Sequence, residues 1–118
     1  MHKKEEVKKP VKLLNYTPHV VRILVGDKTI NLPSMGSARS VPEDNPKGNI
    51  NGIPVVTRAS KPYLKDLPDP EDNVVYVVSC ITHEVAKILG RTDCVAPDTH
   101  NSIRDKYGNI VAVYGFIG

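Results

Sequence analysis

The chain has no tryptophan, one phenylalanine and two methionines among its 118 residues. With large rings and flexible fillers nearly missing, the core is expected to be aliphatic. Cysteine is equally scarce, since Cys80 and Cys94 stand fourteen positions apart with no Cys-x-x-Cys and no second pair. That disfavours structural zinc and a disulfide framework. Cys80 follows an apolar run and reads as a buried small hydrophobe, Cys94 as a partly exposed one. A bridge between them is allowed, but nothing requires it. No early apolar stretch has the length of a signal peptide or a membrane span, so a reduced, cytoplasmic setting is expected.

A charge excess is missing too. The formal charge is +3, but four of the sixteen basic residues (Lys3, Lys4, Lys8, Lys9) and two of the thirteen acidic ones lie in the first ten positions. Beyond them twelve basic and eleven acidic residues remain. The electrostatic footprint of a protein that binds nucleic-acid polymers is therefore absent, and no membrane partner is expected. Residues 1–10 read as a disordered basic tail with no apolar face to dock, and 11–118 as a single globular domain.

What is present is turn-forming and β-forming. Ten prolines and eight glycines leave little room for long helices. Strands are expected at 11–15, 19–25 and 29–33, the last two joined through Gly26 and Asp27 as a hairpin. Residues 33–54 read as a long loop holding one short extended segment, "ARSV" at 38–41. An edge strand follows at 54–60, then a second proline-rich loop. "VVYVVSC" at 74–80 is the most apolar run and the expected central strand. A short helix succeeds it, capped by Thr82, stopped by Gly90, with Ile81, Val85, Ile88 and Leu89 on its buried face and His83 on its polar side. Residues 91–105 read as irregular, and 110–117 as a final strand. The class is α+β: a mostly antiparallel sheet or small curled barrel with one helix packed on it.

Of four histidines, none sits in an H-x-H, H-E-x-x-H or H-x-x-E-H pattern, so no metal is expected. No glycine-rich phosphate loop occurs, and no cofactor is implied. His19 follows Thr17 and Pro18 in "LNYTPHVVRI". Two readings stand. In one, Asn15 and Thr17 shape a strand-to-strand corner by bonding to nearby backbone. In the other, the corner projects Thr17 and His19 into a cleft. Arg91 and Asp93 are expected to tie an irregular segment to the body. Arginine's planar fork also suits phosphate, so Arg39, Arg91 and Arg104 could converge on an anionic ligand. Ser79, at the end of the central strand, lacks a G-x-S-x-G elbow and reads first as a cap or a buried hydroxyl.

The ordered series "LNYTPH", "GSARSV", "GIPVV", "LPDP", "VVYVVS", "GRTDCVAP" and "IRDKYGNIVAVYGF" resembles a group of small uncharacterised bacteriophage and prophage proteins carrying an Asn-Leu-Thr-Pro-His motif. The resemblance covers about residues 13–117. It places polar signals on Asn15, Thr17, His19, Arg39, Ser79, Arg91, Asp93, Arg104 and Asp105. Tyr16 stands where Leu is usual, and Ser40 where Val is usual, which puts the strand character of "ARSV" in doubt. The resemblance implies a phage-type accessory protein of the host cytoplasm and brings no activity with it.

Three functions compete. The first is binding of a polar, nucleotide-like small ligand by Thr17, His19, Arg39, Arg91 and Arg104. The second is a protein-interaction module docking on a host factor through a strand edge or the Pro-rich loops. The third is a small hydrolase using His19 with Ser79 or Thr17.

Overall fold

The computed structural model describes residues 10–42, 44–58 and 63–118. The expected tail lies outside them except for Pro10, as do the last two residues of the strand expected at 54–60. In chain order the elements are β1 (Lys12–Asn15), β2 (Val21–Val25), β3 (Lys28–Leu32), β4 (Arg39–Val41), β5 (Asp44–Ile50), β6 (Ile53–Arg58), β7 (Tyr63–Lys65), β8 (Val74–Val77), α1 (Cys80–Ile88), β9 (Cys94–Pro97), β10 (Ser102–Arg104), β11 (Ile110–Val113) and β12 (Phe116–Ile117).

One sheet has the order β1-β8-β9-β12 and a second β10-β11-β2-β3, while β4-β7 and β5-β6 form separate two-stranded ribbons. The chain is α+β and mostly sheet. Both four-stranded sheets are open, so the small curled barrel expected from sequence is not formed among the described residues. Antiparallel pairing dominates the hairpins, but the centre of the first sheet is parallel, β1 with β8 and β8 with β9. Helix α1 supplies the crossover that parallel neighbours such as β8 and β9 require.

β8 is the central strand that its composition demands. A near-continuous apolar run suits a strand buried on both faces. Its alternation divides it between two clusters. Tyr76 packs with Val78, Ala86, Cys94 and Ala38, while Val77 packs with Val21, Ile23 and Val113 of the second sheet. The core is thus not purely aliphatic. Tyr76 is fully buried, and it is accommodated because its hydroxyl donates to the Asp69 carbonyl at 3.0 Å. Tyr16 meets its ring edge-on at 5.6 Å between centroids, and a Cβ at Gly36 would lie 3.1 Å from the Tyr16 ring. An aromatic at position 16 therefore takes space that only glycine leaves at 36.

The helix differs from expectation at both its start and its face. Ser79, not Thr82, is the cap: its Oγ accepts from the Thr82 N–H at 3.3 Å and donates to Thr82 Oγ1 at 2.9 Å. The buried residues are Thr82, His83, Val85 and Ala86, while Ile81 and Ile88 are 71% and 67% exposed. With the cap three residues earlier than expected, the helix contacts β9, β4 and β7 and His83 lies inward. The cysteines exchange their expected environments. Cys80 begins the helix and is exposed, Cys94 begins β9 and is buried, and both are free.

Two further corrections concern segments read as loops. Residues 91–105 contain β9 and β10, and the expected strand at 110–117 is two strands, β11 and β12, pairing in different sheets. The loop at 33–54 holds β4 and most of a hairpin in which β5 and β6 pair from Asp44↔Arg58 to Ile50↔Ile53. Asn51 and Gly52 close it with φ of 52° and 81°. Two successive positive φ angles define the I′ turn that Asn-Gly favours.

The β5–β6 arm has its main packing within itself, and nearly every residue of it is exposed. Arg58 and Asp44 pair across its base at 2.8 Å, on the surface. Two-stranded ribbons alone are marginal in water, so the arm contributes little to the body. Replacing residues 45–57 by Asn-Gly is expected to leave the melting temperature within about 3 °C of the parent, an effect below roughly 0.5 kcal/mol. Thermal unfolding by circular dichroism measures this, and a much larger drop would show that the arm packs on the body.

Candidate functional site

The Thr17–His19 corner is built around a buried carboxamide. Asn15, 1% exposed at the end of β1, donates from Nδ2 to the His19 carbonyl at 2.7 Å and to the Leu32 carbonyl at 2.8 Å. Its Oδ1 accepts from the Thr17 N–H at 2.9 Å and from Thr17 Oγ1 at 2.6 Å. Ser34 Oγ donates to the Thr17 carbonyl at 2.6 Å, and the Met35 N–H donates to the Asn15 carbonyl at 2.8 Å. The corner reading of the Asn15 and Thr17 side chains is the one observed. What the network holds of His19 is its carbonyl, leaving an exposed imidazole.

That imidazole stands at an open cleft of about 240 Å³. β2 and β11 run parallel but share one ladder position, Val113 opposite Ile23. On its N-terminal side no further pair forms, and there Val20, Val21, Ile110 and Val111 line the cleft as apolar walls. Thr17, His19, Arg22, Ser79, Cys80, Pro97 and Thr99 complete the lining. Ser79 and Cys80 are the start of α1, so the positive end of the helix dipole lies along the rim. Thr17 and Ser79 also line a second, shallower hollow of about 350 Å³ that reaches Arg39.

Of the five residues assigned to a ligand from sequence, the structure brings Thr17 and His19 together in the cleft and Thr17 with Arg39 in the adjoining hollow. Arg91 and Arg104 line neither. Arg91 is committed to structure. Its Nε and one terminal nitrogen bond both oxygens of Asp93 at 2.8 Å, and it donates to the Pro68 carbonyl at 2.9 Å. Its guanidinium also lies 5.8 Å from the centre of the Tyr76 ring. The Arg91 hydrogen bonds hold the Asp93 carboxyl below its ordinary value. Arg104 donates to the Gly108 carbonyl at 2.7 Å, closing the turn between β10 and β11. Asp105 serves that same turn by accepting from the Tyr107 and Asn109 N–H groups.

The hydrolase arrangement is not assembled. Thr17 Oγ1 is engaged with Asn15 and the His19 carbonyl, Ser79 Oγ with Thr82, and among the described residues neither bonds the His19 ring. Among those residues no group of three or more His, Cys, Asp or Glu is placed to hold a metal ion, and no helix is long and apolar enough to cross a membrane. Sequence reasoning missed Arg22, Thr99 and the aliphatic walls. The alternation of "VVRILV" puts Arg22 on one strand face, but nothing in it announces that β11 parts from β2. No protein-family model, curated protein or solved structure matches the chain.

Truncating Asn15 to Ala leaves the His19 and Leu32 carbonyls and the Thr17 N–H without their buried partner. A loss of about 2–4 kcal/mol of stability is expected, read by urea unfolding. Thiol chemistry tests the helix start. Burial pushes the Cys94 thiol up from 9.0 to about 11, so folding favours its neutral form. That contribution is complete below pH 9 and lost as pH rises toward 11. Because the thiolate reacts, native protein at pH 8 is expected to take one equivalent of iodoacetamide at Cys80, with Cys94 labelled only on unfolding.

Proposed function

We propose that the protein is a small-ligand-binding module of the phage-accessory type, its ligand seated between β2 and β11. The parting of these two strands after one shared ladder position carries the reading. It leaves an aliphatic slot with a polar rim of His19, Ser79, Thr99 and Arg22, the combination of apolar walls and few convergent polar groups that small-molecule sites use. At about 240 Å³ the slot lies below the roughly 300–1,000 Å³ of drug-sized pockets. A planar nucleobase or nucleoside therefore suits it better than a dinucleotide. The helix start at Ser79 favours an electron-rich group at that end. A second reading, docking of a host protein, is favoured by the exposed β5–β6 arm; it requires that arm deletion abolish partner binding while substitutions in the cleft do not.

Amide chemical-shift titration with a panel of nucleosides and nucleotides tests the first reading. Saturable shifts are expected at residues 20–22 and 110–113, with Val111→Asp weakening the affinity roughly tenfold and His19→Ala several-fold while the fold is kept. Absence of saturable shifts at those positions up to the solubility limit of the panel would remove the proposal.

A further inference from the structure

A pair of cations sits away from the cleft. β4 and β7 form an antiparallel ribbon in which Arg39 faces Lys65, Ser40 faces Leu64 and Val41 faces Tyr63. Directly opposed residues share a face, and positions two apart along a strand return to it. Arg39, Lys65, Val41 and Tyr63 therefore lie on one side of the ribbon. Leu64, on the other, packs against the Tyr76 cluster. The outer side is concave, a hollow of about 310 Å³ formed by these four with Ser40 and Pro42.

Two like charges directly opposite across a ribbon destabilise it. Among the described residues neither Arg39 nor Lys65 makes an ion pair or a side-chain hydrogen bond that would offset this repulsion. Every other arginine has a partner, Arg22 with Asn31, Arg58 with Asp44, Arg91 with Asp93 and Arg104 with a turn carbonyl. Beside these two cations stands Tyr63, half-exposed, its ring available on the same face.

The geometry points to this face as a binding site for a phosphate monoester carrying a planar ring, a nucleoside monophosphate being the simplest. A phosphate monoester bears between one and two negative charges near neutral pH, about −1.5 to −2, and so can neutralise both cations at once where a carboxylate answers only one. Arg39 supplies the planar fork that matches phosphate oxygens, and Lys65 the point charge. Tyr63 offers the flat surface on which a base stacks. The inference is independent of the β2–β11 cleft, because none of the residues lining that cleft belongs to this face.

Calorimetric titration with adenosine 5′-monophosphate, adenosine and inorganic phosphate separates the parts. The monophosphate is expected to bind, more weakly as salt is raised. Arg39→Gln and Lys65→Gln should each weaken it roughly tenfold, yet leave the unliganded protein no less stable, because each removes the repulsion. Tyr63→Leu should weaken the monophosphate while leaving inorganic phosphate unchanged. Failure of the monophosphate to bind at millimolar concentration overturns the inference, as does binding that survives both glutamine variants. Equal affinity for phosphate and monophosphate, insensitive to Tyr63→Leu, overturns the nucleotide assignment. Loss of monophosphate binding in Val111→Asp but not in Arg39→Gln overturns the site and leaves the cleft reading standing.

Discussion

The hydrogen-bonding demand of chain turning away from the end of a buried strand is met by one carboxamide. Where β1 stops at Asn15, the chain must leave the first sheet, turn past Pro18 and begin β2 in the second. A proline at that turn offers no N–H, the His19 carbonyl lies ahead of β2, and the Leu32 carbonyl stands at the end of β3. Asn15 answers both with one amino group while its oxygen holds the Thr17 N–H and hydroxyl. Buried polar groups left unpaired cost far more than a made bond returns. The position of β2, the path of the segment after β3 and the orientation of His19 all descend from this side chain.

Much of the frame could be read from residue patterns for local reasons. The β2–β3 hairpin, the central strand and the presence of one helix follow from alternation, apolar continuity and a terminal glycine. Failures gathered where a residue type had two competing uses. Residues 33–54 read as a loop, although Asn51-Gly52 flanked by Ile50 and Ile53 is the strongest short hairpin signal there is. Prolines at 46 and 54 masked it, yet a ribbon with two free edges tolerates proline that a central strand would not. The helix was displaced because Ser79 and Thr82 are both good caps, and only the choice between them decides whether His83 faces water. Parallel pairing of β9 was invisible, since four residues carry too little periodicity to declare a partner.

The candidate site was legible in part for a related reason. A polar residue in a loop looks the same in sequence whether its bonds go inward or to a ligand. Arg91 and Arg104 turned inward, to Asp93 and to a turn carbonyl. Thr17 did both, bonding Asn15 while still lining the cleft. The aliphatic walls of the cleft read as ordinary core residues, because the parting of two strands is a tertiary fact with no local residue signature.

Because β8 and the residue after it send Tyr76 and Val78 into one cluster and Val77 into the other, neither cluster can loosen without withdrawing a wall from its neighbour. Two small cores that would each be marginal are thereby bound into a single cooperative unit. The strand that carries no functional group sets how evenly the whole body resists local opening, and so how steadily the walls of the cleft are held in place.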